Sequence, residues 1–334
     1  MKRWIYIIVA ALALVAIAAY FVFSVSARNE EDAYIYIDRD DTIDSVYAKV
    51  EEVAHPSSLL GFKALASLKK YGEHIRTGRY RVEPGMTMTQ LFRDLRNHNE
   101  VPINLVVPAR RELHDWVGRV AAQLMMDSVE LSEAVATLPC VEAGGRKALP
   151  VEIIPNTYEV YWDMSAEKLV ERMQTEYKRF WTDERLQKAK DKGLTQLEVS
   201  TLASIVDSES AYDPEKPRIA GLYLNRLHKG MLLQSDPTVI FAVGDFTIRR
   251  VLNEHLRTES PFNTYRVKGL PPGPIRIASV AGLDAVLNAE QNDYLYMCAK
   301  EDFSGSHNFA TTYGEHLQNA RRYINELNKR GIKK

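Results

Sequence analysis

From Trp4 to Val25 the chain is apolar except for Ser24. As a helix rising ~1.5 Å per residue, that run is long enough to cross a hydrocarbon core of ~30 Å. Lys2 and Arg3 precede it, and Arg28 is soon followed by Glu30, Glu31 and Asp32. That asymmetry predicts a cytoplasmic N-terminus with the remainder of the chain sent outward. The alternative is a cleaved signal peptide ending at Val25-Ser26-Ala27, although the run exceeds the ~7–15 residues of a typical signal core.

Beyond this segment the pattern alternates between period two and the helical period. Ala33–Ile37 reads as a strand, and Asp41-Thr42 as the cap of a helix with Ile43, Val46, Val50 and Val53 on one face. A second helix follows through Leu59, Leu60, Leu65 and Leu68. Gly78–Glu83 is another strand, and a Pro84-Gly85 turn leads into a helix carrying Leu91, Phe92 and Leu95. Val101–Val107 reads as a strand linking two domains, followed by helices over Glu112–Met126 and Ser165–Trp181. Trp116 and Trp181 fit core positions better than sugar-stacking ones, because their neighbours are apolar at helical spacing. Tyr294–Cys298 reads as a buried strand, and Thr312 with Glu315 as the capping box of a final helix through Leu317, Ala320, Ile324 and Leu327. The whole is α+β: a cytoplasmic N-terminus and transmembrane helix over 1–27, a small α/β module over 28–105, and a larger mixed α+β domain over 106–334.

The most informative stretch is 202–238. A helix from Leu197 places Leu202, Ile205, Val206 and then Glu209 along one apolar face, with Thr201, Ser204, Asp207 and Ser208 on the other. An acid that ends an apolar stripe is drawn toward the core, where desolvation favours its protonated form and fits it for general acid catalysis. The competing reading is a frayed helix end with Glu209 exposed to solvent. Asp213 caps a helix opening at Pro214 or Pro217, which runs through Ile219, Leu222 and Leu227 and stops at Gly230. Two irregular segments follow, Gln234–Thr238 and Ser260–Tyr265, with a stiff Gly269–Ile275 run after them. Amides, hydroxyls and rings on rigid loops suit a sugar-binding cleft.

The ordered series SIVDSES, LYLNRL, LLQSDPTVIFAVG, NTY and GLPPGPI resembles the YceG-like endolytic murein transglycosylases. The likeness extends upstream to Pro155–Val160 and downstream to His307-Asn308-Phe309 and Tyr313–His316. It implies a membrane-anchored enzyme that cuts peptidoglycan glycan strands. The catalytic glutamate of the family falls on Glu209; Asp207 stands where the family commonly has glutamate, which puts any role for Asp207 in doubt. The β-α-α-β-α order of residues 28–105 resembles the family's LysM-like module, as do the turns Asp40–Ile43 and Pro84–Thr87. A spacer that touches no glycan is the other reading of that module.

Composition narrows the alternatives. With 43 Lys and Arg against 44 Asp and Glu, the chain has no basic surplus to suggest a nucleic-acid partner. The eight histidines form no HExxH pair and there is no CxxC, so neither a metal nor any other cofactor is expected. His307 and His316 could share a site, but read better as fold and hydrogen-bond residues. No GxSxG elbow or phosphate-binding glycine loop occurs, and Phe303–His307 reads as a turn before a strand. Cys140 and Cys298 could pair in an oxidising compartment or be two free thiols.

A single persuasive acid suits lytic transglycosylation better than hydrolysis, which generally uses two carboxylates. Glu209 would protonate the oxygen of the MurNAc–GlcNAc β-1,4 bond. It would then deprotonate the MurNAc C6 hydroxyl as the 1,6-anhydro ring closes. Asn225, Gln234, Asp236, Asn263, Thr264 and Tyr265 would hold the sugars; capping is the alternative for Asn225 and Asp236. The rival functions are a muramidase in which Asp236 positions water, and a non-catalytic glycan-binding scaffold. The resemblance further implies action on nascent strands at the outer face of the cell (inner) membrane, beside glycan polymerases or penicillin-binding proteins.

Overall fold

The computed structural model describes residues 2–24 and 27–330, in two compact units. The first unit comprises Met1–Leu105 with Ala121–Asp127 and Tyr158–Ser165; the second comprises Val106–Val120, Ser128–Thr157 and Ala166–Lys334. Two short segments from beyond residue 105 therefore join the first unit.

The first unit opens with α1 (Lys2–Ser24), which carries the apolar run. Several of its side chains fall outside the described residues, as do Val25 and Ser26 of the signal-peptide alternative. Among the described residues no helix is long and apolar enough to cross a membrane. The chain then forms β1 (Ala33–Ile37), α2 (Ile43–Val53), α3 (Pro56–Leu68), β2 (Gly78–Val82) and α4 (Met88–Asn97). Strands β1 and β2 pair antiparallel, with Ile35 opposite Tyr80 and Ile37 opposite Gly78. Thr42 and Thr87 cap α2 and α4 in reciprocal capping boxes with Ser45 and Gln90. Val46, Val50, Phe62, Tyr80, Leu91 and Leu95 form the core. Phe62 and Tyr71 meet the Phe92 ring edge-on at 5.6 and 5.7 Å. Leu60 and Leu68, expected along α3, are exposed, because the helix buries only the face that Leu59, Phe62 and Ala66 share.

The chain passes between units in β3 (Ile103–Val107) and β6 (Asn156–Val160), which pair as a two-stranded sheet. Between them lie α5 (Leu113–Ala121), α6 (Ser128–Val135) and the small hairpin β4 (Glu142–Ala143) and β5 (Arg146–Lys147). Helix α5 is shorter than the predicted Glu112–Met126, although Leu124 and Met126 are still buried past its end. The rest of the second unit is α7 (Ala166–Phe180), α8 (Asp183–Asp191), α9 (Gln196–Glu209), α10 (Lys216–His228), α11 (Asp236–Val243), α12 (Asn253–Leu256), α13 (Val280–Leu287), the hairpin β7 (Tyr296–Ala299) and β8 (His307–Ala310), and α14 (Tyr313–Lys329). Trp116 and Trp181 are buried. Strand β7 is only half-buried where a buried strand was expected; its residues Met297, Cys298 and Ala299 line a cleft.

Helix α9 is the centre of this unit. Thr195 and Glu198 open it with a capping box, and every residue from Val199 to Asp207 is buried. The side holding Thr201, Ser204 and Asp207, read from the pattern as the polar one, is covered as well. Thr201 and Ser204 satisfy themselves on the helix's own carbonyls. Ser204 Oγ also accepts the backbone N–H of Ile275 at 3.1 Å, fastening the proline-rich run to the helix.

Candidate active site

A cleft of about 250 Å³ opens at the C-terminal end of α9. Its lining includes Glu209, Tyr223, Arg226, Gln234, Asp236, Tyr265 and His307, with Met297, Cys298 and Ala299 of β7. Glu209 is the last residue of α9; Ser210 turns to extended backbone and ends the helix. The residue keeps some exposure to the cleft, but its carboxyl group is enclosed by protein. Tyr223 from α10 donates its hydroxyl to Glu209 Oε1 at 2.7 Å, and Ser235 donates its hydroxyl to the same oxygen at 2.5 Å. With both donors on Oε1, Oε2 is the oxygen suited to carry a proton.

Burial raises the pKa of Glu209, and the negative charge of Asp236 adds to the rise. The Ser235 and Tyr223 hydrogen bonds and nearby His307 pull the other way without reversing it. Burial also lifts the Tyr223 phenol well above its ordinary range, so it stays a donor. The frayed, solvated alternative for Glu209 does not hold.

The loop carrying Ser235 is built to place that hydroxyl. Gln234 adopts a left-handed backbone, φ 53°, uncommon for a residue with a side chain. Its N–H bonds the Thr264 carbonyl at 3.1 Å, and the Ser235 N–H bonds Thr264 Oγ1 at 3.0 Å. Thr264 is buried and shares a hydrogen bond with Thr238 at 2.8 Å. Asn263, fully buried, donates to the carbonyls of Leu256 and Thr258 and accepts from the Tyr265 N–H. Asn263 and Thr264 thus hold the loops instead of reaching the cleft as expected. Asn225 likewise does not line it: its amide donates to Asn292 and to the Tyr294 carbonyl. Gln234, Asp236 and Tyr265 do face the cleft, where the Tyr265 hydroxyl donates to Asp236 Oδ1 at 2.6 Å.

Asp207 has a structural post. Its carboxylate binds Lys216 Nζ at 2.7 Å, the Ser279 N–H at 2.6 Å and the Ser279 hydroxyl at 2.8 Å. Ser279 is the N-cap of α13, so this buried acid joins α9 to the starts of α10 and α13.

Four cleft features escaped the sequence reading. Tyr223 and Ser235 bind the central carboxyl. Arg226 donates to the carbonyls of Leu295 at 2.6 Å and Leu233 at 2.7 Å, tying the Gln234 loop to β7. Glu215, buried, accepts from the His307 N–H and meets His307 Nδ1, each at 2.8 Å. With Glu215 accepting the Nδ1 proton, Nε2 is the ring nitrogen left for other partners. Tyr223 and Arg226 were visible as polar interruptions three residues apart in the apolar face of α10. Nothing in the spacing links Ser235 to Glu209 or Glu215 to His307. His316 stacks on Tyr296 at 5.5 Å, while Cys140 and Cys298 are free thiols.

The profile of the YceG-like family matches residues 35–322. The chain belongs to that family. Two Streptococcus pneumoniae proteins, each named endolytic murein transglycosylase, are 24% and 25% identical to it over 94% of its length. A Bacillus subtilis protein of the same name is 39% identical over 130 residues, 39% of this chain. The chain spans 64% of the length of each pneumococcal relative and 35% of the Bacillus one. The crystal structure of a yceG-like protein from Listeria monocytogenes superposes with a TM-score of 0.56 at 24% identity, covering 87% of this chain and 99% of that one. That likeness speaks for the fold alone.

Proposed function

We propose that this protein is an endolytic lytic transglycosylase of peptidoglycan, with Glu209 as its acid and then its base. The observation that carries the reading is the Glu209 carboxyl, enclosed in the cleft, raised in pKa, and bonded on one oxygen only. Oε2 delivers its proton to the glycosidic oxygen between MurNAc and GlcNAc. The developing carboxylate is steadied by Tyr223 and Ser235, which already point at Oε1. Asp236, held by Tyr265, lies along the same cleft and offers negative charge to the oxocarbenium-like sugar. Glu209 then takes the proton of the MurNAc C6 hydroxyl as that oxygen closes on C1, giving a 1,6-anhydro end. The nucleophile belongs to the substrate, so no activated water is required. The names of the relatives support this substrate class.

Asp236 also supports a second reading, a muramidase in which it activates water. Mass spectrometry of uncrosslinked glycan strands digested by the full chain separates the two. Transglycosylation gives 1,6-anhydro-MurNAc ends, and hydrolysis gives ends heavier by one water. In Glu209→Gln we expect cleavage to fall by at least about 10²–10⁴-fold, the usual contribution of a general acid. Undiminished cleavage by a folded Gln variant would sink the assignment. Strand binding without cleavage by the wild type would favour a scaffold.

The proposal includes a membrane location: α1 as a single-pass anchor, a cytoplasmic N-terminus, and the chain from residue 28 onward outside. There the enzyme would meet nascent strands beside the polymerases that make them. The β1–α2–α3–β2–α4 module would serve as a LysM-like glycan-binding element.

A further inference from the structure

A second cluster lies in the first unit, apart from the cleft residues. His98 ends α4 in a left-handed backbone, φ 59°, and Glu100 follows two residues later on the way to β3. Asp163 sits in the turn after β6, within the segment Tyr158–Ser165 that belongs to the same unit. One ligating atom from each of the three lies within 4.8 Å of the other two. His98 Nε2 is 3.3 Å from Glu100 Oε1 and 3.8 Å from Asp163 Oδ2. Two ligands each ~2.1 Å from a tetrahedral zinc ion are ~3.4 Å apart, so these separations already suit one ion.

Independent observations point to a ligand. The Glu100 side chain is only 8% exposed, and its Oε2 makes no well-aligned hydrogen bond, although the Arg79 backbone N–H acts on the carboxyl group. His98 Nε2 is also buried and makes no hydrogen bond, despite its nearness to Glu100. Buried polar atoms left unmatched in this way are costly unless something else satisfies them. Residue 78 is glycine, and a Cβ there would come within 2.9 Å of Glu100 Oε2, so the glycine leaves room for the carboxylate itself. Asp163 is fixed by the Thr77 hydroxyl, which donates to Oδ2 at 2.6 Å. Such a partner orients a carboxylate ligand, as the outer shell of a metal site does.

We propose that His98, Glu100 and Asp163 form a binding site for a divalent transition-metal ion, zinc by ligand chemistry. An imidazole nitrogen with two carboxylates favours zinc over magnesium or calcium, which take oxygen ligands. The ion acts as a clamp, fastening the turn after β6 to the turn between α4 and β3 and closing a long loop of chain. No motif marks the site, because Asp163 is remote in sequence from the His98–Glu100 pair.

The test is calorimetric titration of Zn²⁺ into the tag-free, chelator-stripped full chain, alongside thermal unfolding. We expect one ion per chain with a dissociation constant of about 10 µM or tighter, and a higher unfolding temperature with zinc. His98→Gln, Glu100→Gln and Asp163→Asn should each weaken binding by about tenfold or more. Co²⁺ bound to the wild type should show the visible absorption of a four-coordinate site. Wild-type binding weaker than that limit overturns the proposal whether or not the variants fold. Binding that survives all three substitutions overturns it too, by placing the ion elsewhere.

Discussion

Glu209 is a residue whose charge state is set by opposed neighbours, and the opposition can be measured. A general acid works only while protonated, so its rate is full below its pKa and falls as pH rises through it. Burial and Asp236 raise that pKa, while the Ser235 and Tyr223 hydrogen bonds favour the carboxylate and lower it. Tyr223→Phe removes a lowering influence, and the alkaline limb of kcat/KM should move to higher pH. Asp236→Asn removes a raising one, and the limb should move to lower pH. Both variants will be slower, so the position of the limb is the readout, not its height. Limbs that move together, or not at all, would mean that Glu209 is not the group being titrated.

At the scale of elements, α9 matters most, and it shows what spacing can and cannot reveal. The apolar stripe ending in an acid was legible because it is a local pattern; the capping box at Thr195 and Glu198, equally local, was not read. The burial of the opposite side was not legible, since Thr201, Ser204 and Asp207 look solvated until the proline-rich run and α13 cover them. The same limit separates Gln234, Asp236 and Tyr265, which line the cleft, from Asn225, Asn263 and Thr264, which brace its walls. Polar type alone does not say whether a side chain faces substrate or a backbone carbonyl. Asp207 gives this a testable form. Removing it leaves Lys216, with a side chain 7% exposed, only the exposed partner Asp213, and strips the α13 cap of its anchor. Asp207→Ala should therefore destabilise the unit by roughly 2–4 kcal/mol. Gly282→Ala should also destabilise it, because its Cβ would lie 2.6 Å from the Asp207 oxygens. Shifted denaturant midpoints at an unchanged m-value would bear this out. Wild-type stability in both variants would mean that this junction contributes little.

For the whole molecule the open question is whether residues 1–27 stay attached, since an anchor confines the cleft to the neighbourhood of the bilayer. The length of the apolar run argues for retention, and the flanking charges for an N-terminus inside. The position of Ala27, the last residue that cleavage at Val25-Ser26-Ala27 would remove, also argues for retention. Ala27 is buried, and its N–H bonds the Met86 carbonyl at 2.7 Å, while the Arg28 N–H bonds Val53 at 2.9 Å. Residue 27 is thus already part of the folded first unit, and cleavage after it would strip a contact from that unit's surface. We expect the intact mass of protein purified from cells to include the N-terminal segment, and the protein to remain in the membrane pellet through high-salt and alkaline washes. Deleting residues 2–26 should move it to the soluble fraction while leaving cleavage of free glycan strands within a few-fold of the parent. A mature chain beginning at Arg28 would establish the signal-peptide reading instead. Proximity to nascent strands would then have to come from glycan binding by the first unit, and mutations on that unit, not deletion of the apolar run, would decide where the enzyme cuts.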